Sequence, residues 1–170
     1  GPHSSQTEQD SRLLALTAKV PVFDPSTPAE TMAMLKAAFE LSEKHRMPVI
    51  MRPTTRICHA VQSIDVADTG LPPLDGNVGF KKDQQRWAAP PVFRLKLHHE
   101  LNAKLQSVES EFENSSFNYV VNSKSQTSNS KLGIISSGSV FTTSQEVLDE
   151  LGVEIPILRI GTPYPLPRKL

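Results

Sequence analysis

The chain has 170 residues, 38% hydrophobic and 21% charged, a composition typical of one or two folded domains rather than of a disordered protein. Eighteen basic residues balance eighteen acidic ones, so the net charge gives no support for binding to nucleic acid or to an anionic membrane surface. No stretch is long and apolar enough to predict a transmembrane helix. The single cysteine, Cys58, excludes an internal disulfide and a cysteine-only metal or iron–sulfur site within this chain.

The first elements along the chain form a strand–helix–strand pattern. A short apolar strand is predicted at 20–23, followed by a helix at 28–45 that has Thr27 as its N-cap and Glu30 three residues later. Apolar residues at helical spacing predict the buried face of this helix: Met32, Ala33, Leu35, Ala38 and Phe39. A second apolar strand is predicted at 49–51, and the two strands are expected to be parallel neighbours.

The second half of the chain repeats this pattern after an irregular region. Residues 64–94 lack periodicity and are interpreted as a connector with a short strand near 79–82. The remaining predicted elements are a helix at 94–113, strands at 117–121 and 131–135, a helix at 140–151 and a strand at 155–160. Apolar residues at helical spacing predict the buried face of the 94–113 helix: Leu97, Leu101, Leu105, Val108 and Phe112. Gly152 suits the left-handed position that ends the last helix. Two strand–helix–strand units predict an α/β fold.

The polar segment after the 49–51 strand is the best-placed candidate for binding. In open parallel sheets, ligands bind beyond the carboxyl ends of the strands. Arg52 and Arg56 flank Thr54 and Thr55 there, and two guanidinium groups with two hydroxyls can hold a carboxylate or a phosphate. The alternative is a surface loop whose arginines pair with acidic neighbours.

Three other motifs give weaker support for a catalytic or binding site. Cys58 and His59 are adjacent, so their side chains diverge and a catalytic Cys–His pair is not expected. The consecutive residues 98–100 (His-His-Glu) point in different directions on a helix and cannot ligate one ion together, so a solvated helix face and no metal site are predicted. The segment 136–139 (Ser-Ser-Gly-Ser) lies between strand and helix, where backbone N–H groups can hold an anion, but it lacks the phosphate-loop lysine.

Several stretches, in order along the chain, resemble the thiamine-dependent 2-oxoacid:ferredoxin oxidoreductases, in particular the alpha subunits that act on indolepyruvate. The stretches are 3–12, 19–25, 39–44, 48–56, 131–138 and 161–167. Two of them are fairly specific, namely His3-Ser4-Ser5-Gln6 and the Arg-Pro-Thr-Thr-Arg run at 52–56.

The resemblance implies that the chain is an internal fragment of such a subunit, with parts of two three-layer parallel-sheet domains. Residues 1–63 correspond to the back half of a thiamine pyrimidine-binding domain, 64–113 to a connector and helix, and 114–170 to the start of a transketolase-C-terminal-like domain. The glutamate that activates the thiazolium, the domain that binds diphosphate and Mg²⁺, and the iron–sulfur region would lie outside this chain.

For the whole enzyme, the resemblance implies oxidative decarboxylation of an aryl 2-oxoacid such as indolepyruvate to an acyl-CoA, with electrons passed to ferredoxin. Thiamine diphosphate with Mg²⁺ and [4Fe–4S] clusters are the implied cofactors. The implied partners are a smaller oxidoreductase subunit, ferredoxin, the 2-oxoacid and coenzyme A. They would meet in a cytoplasmic oligomer that binds neither nucleic acid nor membrane.

The resemblance places no catalytic residue in this chain, so the fragment alone is expected to be inactive and to bind no cofactor. It does imply residues that line the cofactor or substrate from the pyrimidine-binding side: His3, Ser4, Ser5, Gln6, Thr54, Thr55 and Arg56. The alternative from a different functional class is a non-catalytic α/β binding or assembly module that shares the ancestry.

Overall fold

The structure is a computed structural model that describes residues 9–65, 79, 81–88, 90–121 and 132–170. Its helices are α1 (Ser11–Ala18), α2 (Pro28–His45), α3 (Thr55–His59), α4 (Gln84–Trp87), α5 (Pro91–Phe112) and α6 (Ser139–Leu151). Its strands are β1 (Val22–Phe23), β2 (Ile50–Met51), β3 (Asn118–Val121), β4 (Ile134–Ser136) and β5 (Ile157–Ile160). Among the described helices, none is both long and apolar enough to cross a membrane.

The strands form two small sheets. In the first, β1 and β2 are parallel, as the strand–helix–strand pattern predicts. In the second, the order is β3–β5–β4, with β4 parallel to β5 and β3 antiparallel to it. The α/β class is therefore confirmed, but the antiparallel β3 makes the second sheet mixed, where an all-parallel sheet was expected.

Local sequence signals set both ends of α2. Thr27 caps its first turn by accepting a hydrogen bond from the Glu30 N–H at 3.1 Å, as predicted. The Glu30 carboxylate, however, accepts from the backbone N–H of Ser26 at 2.6 Å, one residue before the cap. Arg46 ends the helix in the left-handed region, with φ 50°.

The buried face of α2 differs from the prediction. The side chains that point into the core are Met34, Ala38 and Leu41. The predicted residues other than Ala38 are exposed: Ala33, Met32 (42%), Leu35 (45%) and Phe39 (65%). Both stripes have helical spacing, so periodicity alone could not choose between them. The choice was made by packing, because α5 covers the first stripe.

The main core lies between the first sheet, α2 and α5. The ring of Phe23 packs edge-on against Phe112 at 5.5 Å and Phe117 at 6.0 Å between centroids. Leu105 and Val108 of α5 are also buried there, which confirms the predicted apolar face of that helix. The helix that follows the connector thus belongs to the same core as β1 and α2.

A smaller core lies under α6. Phe141 and Leu148 of this helix pack on Ile157 of β5. Gly152 ends α6 with φ 62°, as predicted. The parallel β4–α6–β5 unit follows the predicted pattern.

Two further predictions fall between these units. The segment after β2 was expected to be a loop, but it forms the short helix α3. Of the strand predicted near 79–82, the described residues Gly79, Lys81 and Lys82 are not in a strand. Instead Asp83 caps α4 by accepting from the N–H groups of the next residues. The polar loop expected at 123–130 lies outside the described residues.

The chain after β5 joins the two sheets. The Val22 N–H donates to the Tyr164 carbonyl, and the Asp24 N–H donates to the Gly161 carbonyl, both at 2.8 Å. Gly161 has no room for a side chain, since an added Cβ would lie 2.6 Å from the Phe117 carbonyl oxygen. Asn118 accepts from the N–H of Gly161 at 2.8 Å, so the end of β5 is anchored to the start of β3.

Candidate functional site

Three strands end at one place, and a buried carboxylate connects them. Asp24 follows β1, Arg52 follows β2 and Ser137 follows β4. Arg52 Nη1 donates to Asp24 Oδ1 at 3.1 Å, and Ser137 Oγ donates to Asp24 Oδ2 at 2.5 Å. Asp24 is completely buried. The Arg52–Asp24 ion pair and the Ser137 hydroxyl hold the carboxyl ends of the strands of both sheets together.

Gly138 makes the closeness of these strand ends feasible. It has φ 57°, and a Cβ there would lie 2.6 Å from Asp24 Oδ1. Gly138 is also the N-cap of α6 and supplies no side-chain cap, so the first turn of that helix is not closed by its own cap residue. The helix N-terminus therefore starts directly beside the buried carboxylate.

The predicted residues Thr54 and Arg56 face the first two turns of α6. Thr54 Oγ1 lies 3.4 Å from Ser139 Oγ. This distance is longer than a usual O–H···O hydrogen bond, so the two hydroxyls interact only weakly. Arg56 Nη1 donates to Thr143 Oγ1 at 3.1 Å. Thr55 opens α3 between them. Hydroxyls, a guanidinium and a helix N-terminus together suit a polar or anionic group.

The remaining predicted site residues are placed as follows. His3, Ser4, Ser5 and Gln6 lie outside the described residues. Arg52 does not act with Arg56 as the flanking pair that the sequence suggested. Its side chain is 15% exposed and turned toward Asp24, with Asp10 at 3.7 Å on the other side. This part of the motif therefore matches the alternative in which an arginine pairs with acidic neighbours.

An ion pair at the start of α1 continues the row of charged side chains Asp24, Arg52 and Asp10 toward the surface. Arg12 and Asp10 are joined at 2.8 Å. The hydrogen bond from Arg12 is the main reason that the pKa of Asp10 is lowered to about 2. Asp10 therefore stays ionised beside Arg52 at any ordinary pH.

A second buried ion pair was not predicted. Arg159 of β5 is completely buried, and its Nη2 donates to Glu30 Oε2 at 2.5 Å. Its guanidinium lies 5.0 Å from the centre of the Phe141 ring, in the first turn of α6. Ser136, its neighbour in the β4–β5 register, is buried beside it. The sequence signal was a single arginine inside an otherwise apolar strand, Ile157–Ile160.

Both carboxylates near the site are therefore already engaged. Asp24 is held by Arg52 and Ser137, and Glu30 by Arg159 and Ser26. Both carboxylates therefore have structural partners within the fold. No group of three metal-ligating side chains occurs among the described residues.

The other motifs from the sequence have simple environments. Cys58 is an exposed free thiol, and its neighbour His59 on α3 is exposed as well. His98 and His99 are exposed on α5, in agreement with a solvated helix face. Glu100, the third residue of that motif, binds Arg86 and Lys104 instead.

No family model matches the chain. It is similar along nearly its whole length to proteins named indolepyruvate oxidoreductase subunit IorA. It is 36% identical to that of Methanothermobacter thermautotrophicus over 167 residues, covering 98% of this chain and 26% of the relative. The match to that of Thermococcus kodakarensis is 39% over 171 residues, 96% of this chain and 25% of the relative. The match to that of Archaeoglobus fulgidus is 32% over 169 residues, 99% and 26%.

The chain thus spans about a quarter of the length of the curated relatives it matches. These matches confirm the resemblance drawn from the sequence motifs. They cover the Thr54–Arg56 segment, α6 and both buried ion pairs, because only a few residues of the chain fall outside them.

Proposed function

We propose that this chain, a homologue of about one quarter of the IorA subunits, is part of an oxidoreductase that decarboxylates an aryl 2-oxoacid such as indolepyruvate. The acyl group would leave on coenzyme A, and the electrons would pass to ferredoxin. The observation that carries the proposal is the 32–39% identity to proteins of that name over 96–99% of the chain. Oxidoreductase and indolepyruvate are the words that those names supply.

Thiamine diphosphate would supply the carbanion chemistry, since a bound cofactor carries such steps and the protein positions the reacting groups. The contribution of this chain would be the polar surface formed by Thr54, Thr55, Arg56 and the first turn of α6. Arg56 is oriented there by its hydrogen bond to Thr143 Oγ1 at 3.1 Å. A guanidinium oriented in this way can bind a carboxylate or phosphate oxygen of the substrate or cofactor. The donor set fits an anionic group.

The described residues do not fit the proton-transfer or metal-binding parts of the same chemistry. Asp24 and Glu30 are locked in ion pairs, and no set of three metal ligands lies within the described part of the chain. As the resemblance implies, the carboxylate and Mg²⁺ chemistry would come from other parts of the enzyme. The proposal keeps the expectation from the resemblance that the catalytic residues lie outside this chain.

The proposed partners are the ones that the family resemblance implies: a smaller oxidoreductase subunit, ferredoxin and coenzyme A, within a cytoplasmic oligomer. Mg²⁺ and [4Fe–4S] clusters belong to the same proposal.

A second candidate function is a non-catalytic α/β module that binds or assembles without chemistry. The observation that favours it is that the Asp24 and Glu30 carboxylates, the two nearest the site, both form structural ion pairs. In that case Arg56 would serve binding alone.

The test uses the gene product that carries this chain, purified with any subunit that copurifies. Indolepyruvate-dependent reduction of methyl viologen is measured with thiamine diphosphate and coenzyme A present. Arg56→Ala is expected to lower kcat/KM at least tenfold, about 1.4 kcal/mol of transition-state stabilisation. Arg94→Ala, an exposed arginine on α5, is the matched control and should leave kcat/KM unchanged.

The outcomes separate the two candidates. Turnover that falls with Arg56→Ala, while the melting temperature moves little, supports the enzyme and the site together. Wild-type turnover in both Arg56→Ala and Arg94→Ala supports the enzymatic function but shows that Arg56 is not a site residue. Absence of turnover in the wild type, with the same protein still binding thiamine diphosphate or its partners, favours the non-catalytic module. The 170-residue chain alone should stay at the no-protein baseline.

A further inference from the structure

A small cavity with an excess of positive charge lies where the C-terminal end of α2 meets α4 and α5. Its volume is about 170 Å³. Sites for drug-sized ligands usually have about 300–1,000 Å³, so this cavity fits a small head group instead. Its apolar wall comes from Met47, Leu97 and Leu101.

Three cationic residues, Arg46, Arg86 and Lys104, and one acidic residue, Glu100, line the cavity. Glu100 Oε1 accepts from Arg86 Nη1 at 3.1 Å and from Lys104 Nζ at 2.9 Å. One carboxylate therefore serves two cations. The third cation is Arg46, and within the part of the chain that the structure describes no carboxylate pairs with its guanidinium. Among the described residues, the lining keeps two positive charges that no acidic side chain compensates.

Two of the cations, Arg86 and Lys104, are held in place before any ligand binds. Arg86 Nη2 donates to the Arg46 carbonyl at 3.3 Å, which ties α4 to the end of α2. The side chains of Arg86 and Lys104 are only 23% and 19% exposed. Partial burial weakens the screening by water, so an anion would gain more here than at an open surface. Arg86 and Lys104 would lose little side-chain entropy on binding.

The pKa of Glu100 reflects the positive charge around the cavity. The pKa of Glu100 is lowered, chiefly by the hydrogen bond from Lys104 and further by the charges of Arg86 and Lys96. Three cations, Lys104, Arg86 and Lys96, therefore act on one acid. A second negative group in the cavity would be attracted by the same charges.

We propose that this cavity, between the C-terminal end of α2 and the α4–α5 segment, binds a phosphate dianion, either as the free ion or as the head of a phosphate ester. The excess of two positive charges matches a dianion better than a carboxylate. Arg86, Arg46 and Lys104 supply donors of the kinds that bind phosphate oxygens in proteins. This site is independent of the oxidoreductase function proposed above and uses none of its residues.

The chain contains a reporter next to the site. Trp87 is its single tryptophan, and the Arg86 guanidinium lies 5.3 Å from the centre of that ring. A shift of Arg86 toward a bound anion changes the electrostatic environment of the indole. Tryptophan fluorescence of the 170-residue chain can therefore follow binding.

The experiment titrates the chain with sodium phosphate at constant ionic strength, with chloride as the balancing anion. Glycerol phosphate and acetate are titrated in parallel. We expect a saturable change in Trp87 fluorescence with phosphate and none with acetate. A response to both phosphate and glycerol phosphate assigns the site to an ester head group, and a response to phosphate alone assigns it to the free ion.

Two variants and a control test the location. Arg46→Gln and Lys104→Gln should each raise the half-saturating phosphate concentration about fivefold or more, since each removes one nearby charge. Arg168→Gln removes the same charge from an exposed arginine, 77% exposed, that does not line this cavity, and it should change nothing. Unchanged urea-unfolding midpoints establish that the variants are folded.

The proposal is overturned if chloride reproduces the phosphate response, if acetate binds as well as phosphate, or if all three variants bind like the wild type. A phosphate-induced rise in melting temperature that Arg46→Gln removes and Arg168→Gln keeps would support it by a second readout. If neither Arg46→Gln nor Lys104→Gln folds, wild-type chain that shows no melting shift with phosphate over chloride overturns the proposal.

Discussion

Two consecutive residues, Phe23 and Asp24, end the same strand and enter opposite kinds of environment. Phe23 is 2% exposed and packs against aromatic rings, whereas Asp24 is completely buried and binds a guanidinium and a hydroxyl. The apolar core depends on volume and shape, which several residues can satisfy. The polar junction depends on partners, because a buried charge without its partner costs several kcal/mol.

The same contrast holds for the ion pair of Arg159 and Glu30. It lies between β5 and the start of α2, next to the ring of Phe141. Replacing both charges of such a pair with neutral groups is often nearly neutral, while removing one is strongly destabilising. The four predictions below test this difference between core and junction.

The largest expected effect comes from removing one partner of the junction. Arg159→Met keeps the length of the side chain but leaves the Glu30 carboxylate, 16% exposed, without its cation. We expect a loss of about 4 kcal/mol in the free energy of unfolding, measured by urea denaturation. The double variant Glu30→Gln with Arg159→Met should recover at least half of this loss. Additive effects of the two single changes would show that the pair is not coupled.

The next effect comes from the apolar core. Met34→Ala, at a completely buried position of α2, should lose about 3 kcal/mol by the loss of contacts and the cavity left behind. Met34→Leu should lose less than about 1.5 kcal/mol, because it nearly conserves volume. Urea denaturation of both variants gives the comparison. A loss with Met34→Leu as large as that with Arg159→Met would contradict the difference between core and junction.

A smaller effect is expected at the exposed end of the junction. The pKa of Asp10 falls from 3.8 to about 2, so the folded state favours its ionised form. Its contribution is therefore complete above about pH 4, and it is lost as the pH falls toward 2. Because Asp10 is 42% exposed, Asp10→Asn should cost at most about 1 kcal/mol at pH 7. The difference from wild type in urea denaturation should shrink as the pH is lowered to 3, and a constant difference would contradict the assignment.

The smallest effect is expected on the exposed face of α2. Phe39→Gln should change the free energy of unfolding by less than about 0.5 kcal/mol, because the ring is 65% exposed. Leu41→Gln on the buried face of the same helix is the matched control and should be clearly destabilising, since it buries an unpaired amide. Thermal melting of the two variants decides between the stripe predicted from the sequence and the stripe observed. A large loss with Phe39→Gln would favour the predicted one.

Much of the local structure could be predicted, since it is coded by neighbouring residues. Thr27 and Glu30 set the start of α2, and Gly152 sets the end of α6. Leu105 and Phe112 identify the buried face of α5 by spacing alone. Each of these signals acts within one or two helical turns.

The candidate site was predicted only in part. The position of Thr54 and Arg56 after a parallel strand was visible in the sequence, but their neighbours Ser139 and Thr143 lie 85 and 87 residues away along the chain. Nothing in the local sequence distinguishes the arginine that binds the Thr143 hydroxyl from the one that binds Asp24. Arg52 and Arg56 differ only in the partners that the fold brings to them.

By itself, the sequence determined the strand–helix–strand units, the helix ends and the relationship to the IorA subunits. The tertiary structure decided which stripe of α2 is buried and which charges are paired. The physical reason is distance along the chain. Asp24 meets Ser137, 113 residues later, and its carbonyl accepts a hydrogen bond from Arg159, 135 residues later. Hydrophobic spacing acts between neighbours and is readable in one dimension, whereas a buried charge is satisfied by a partner that only the folded chain brings near.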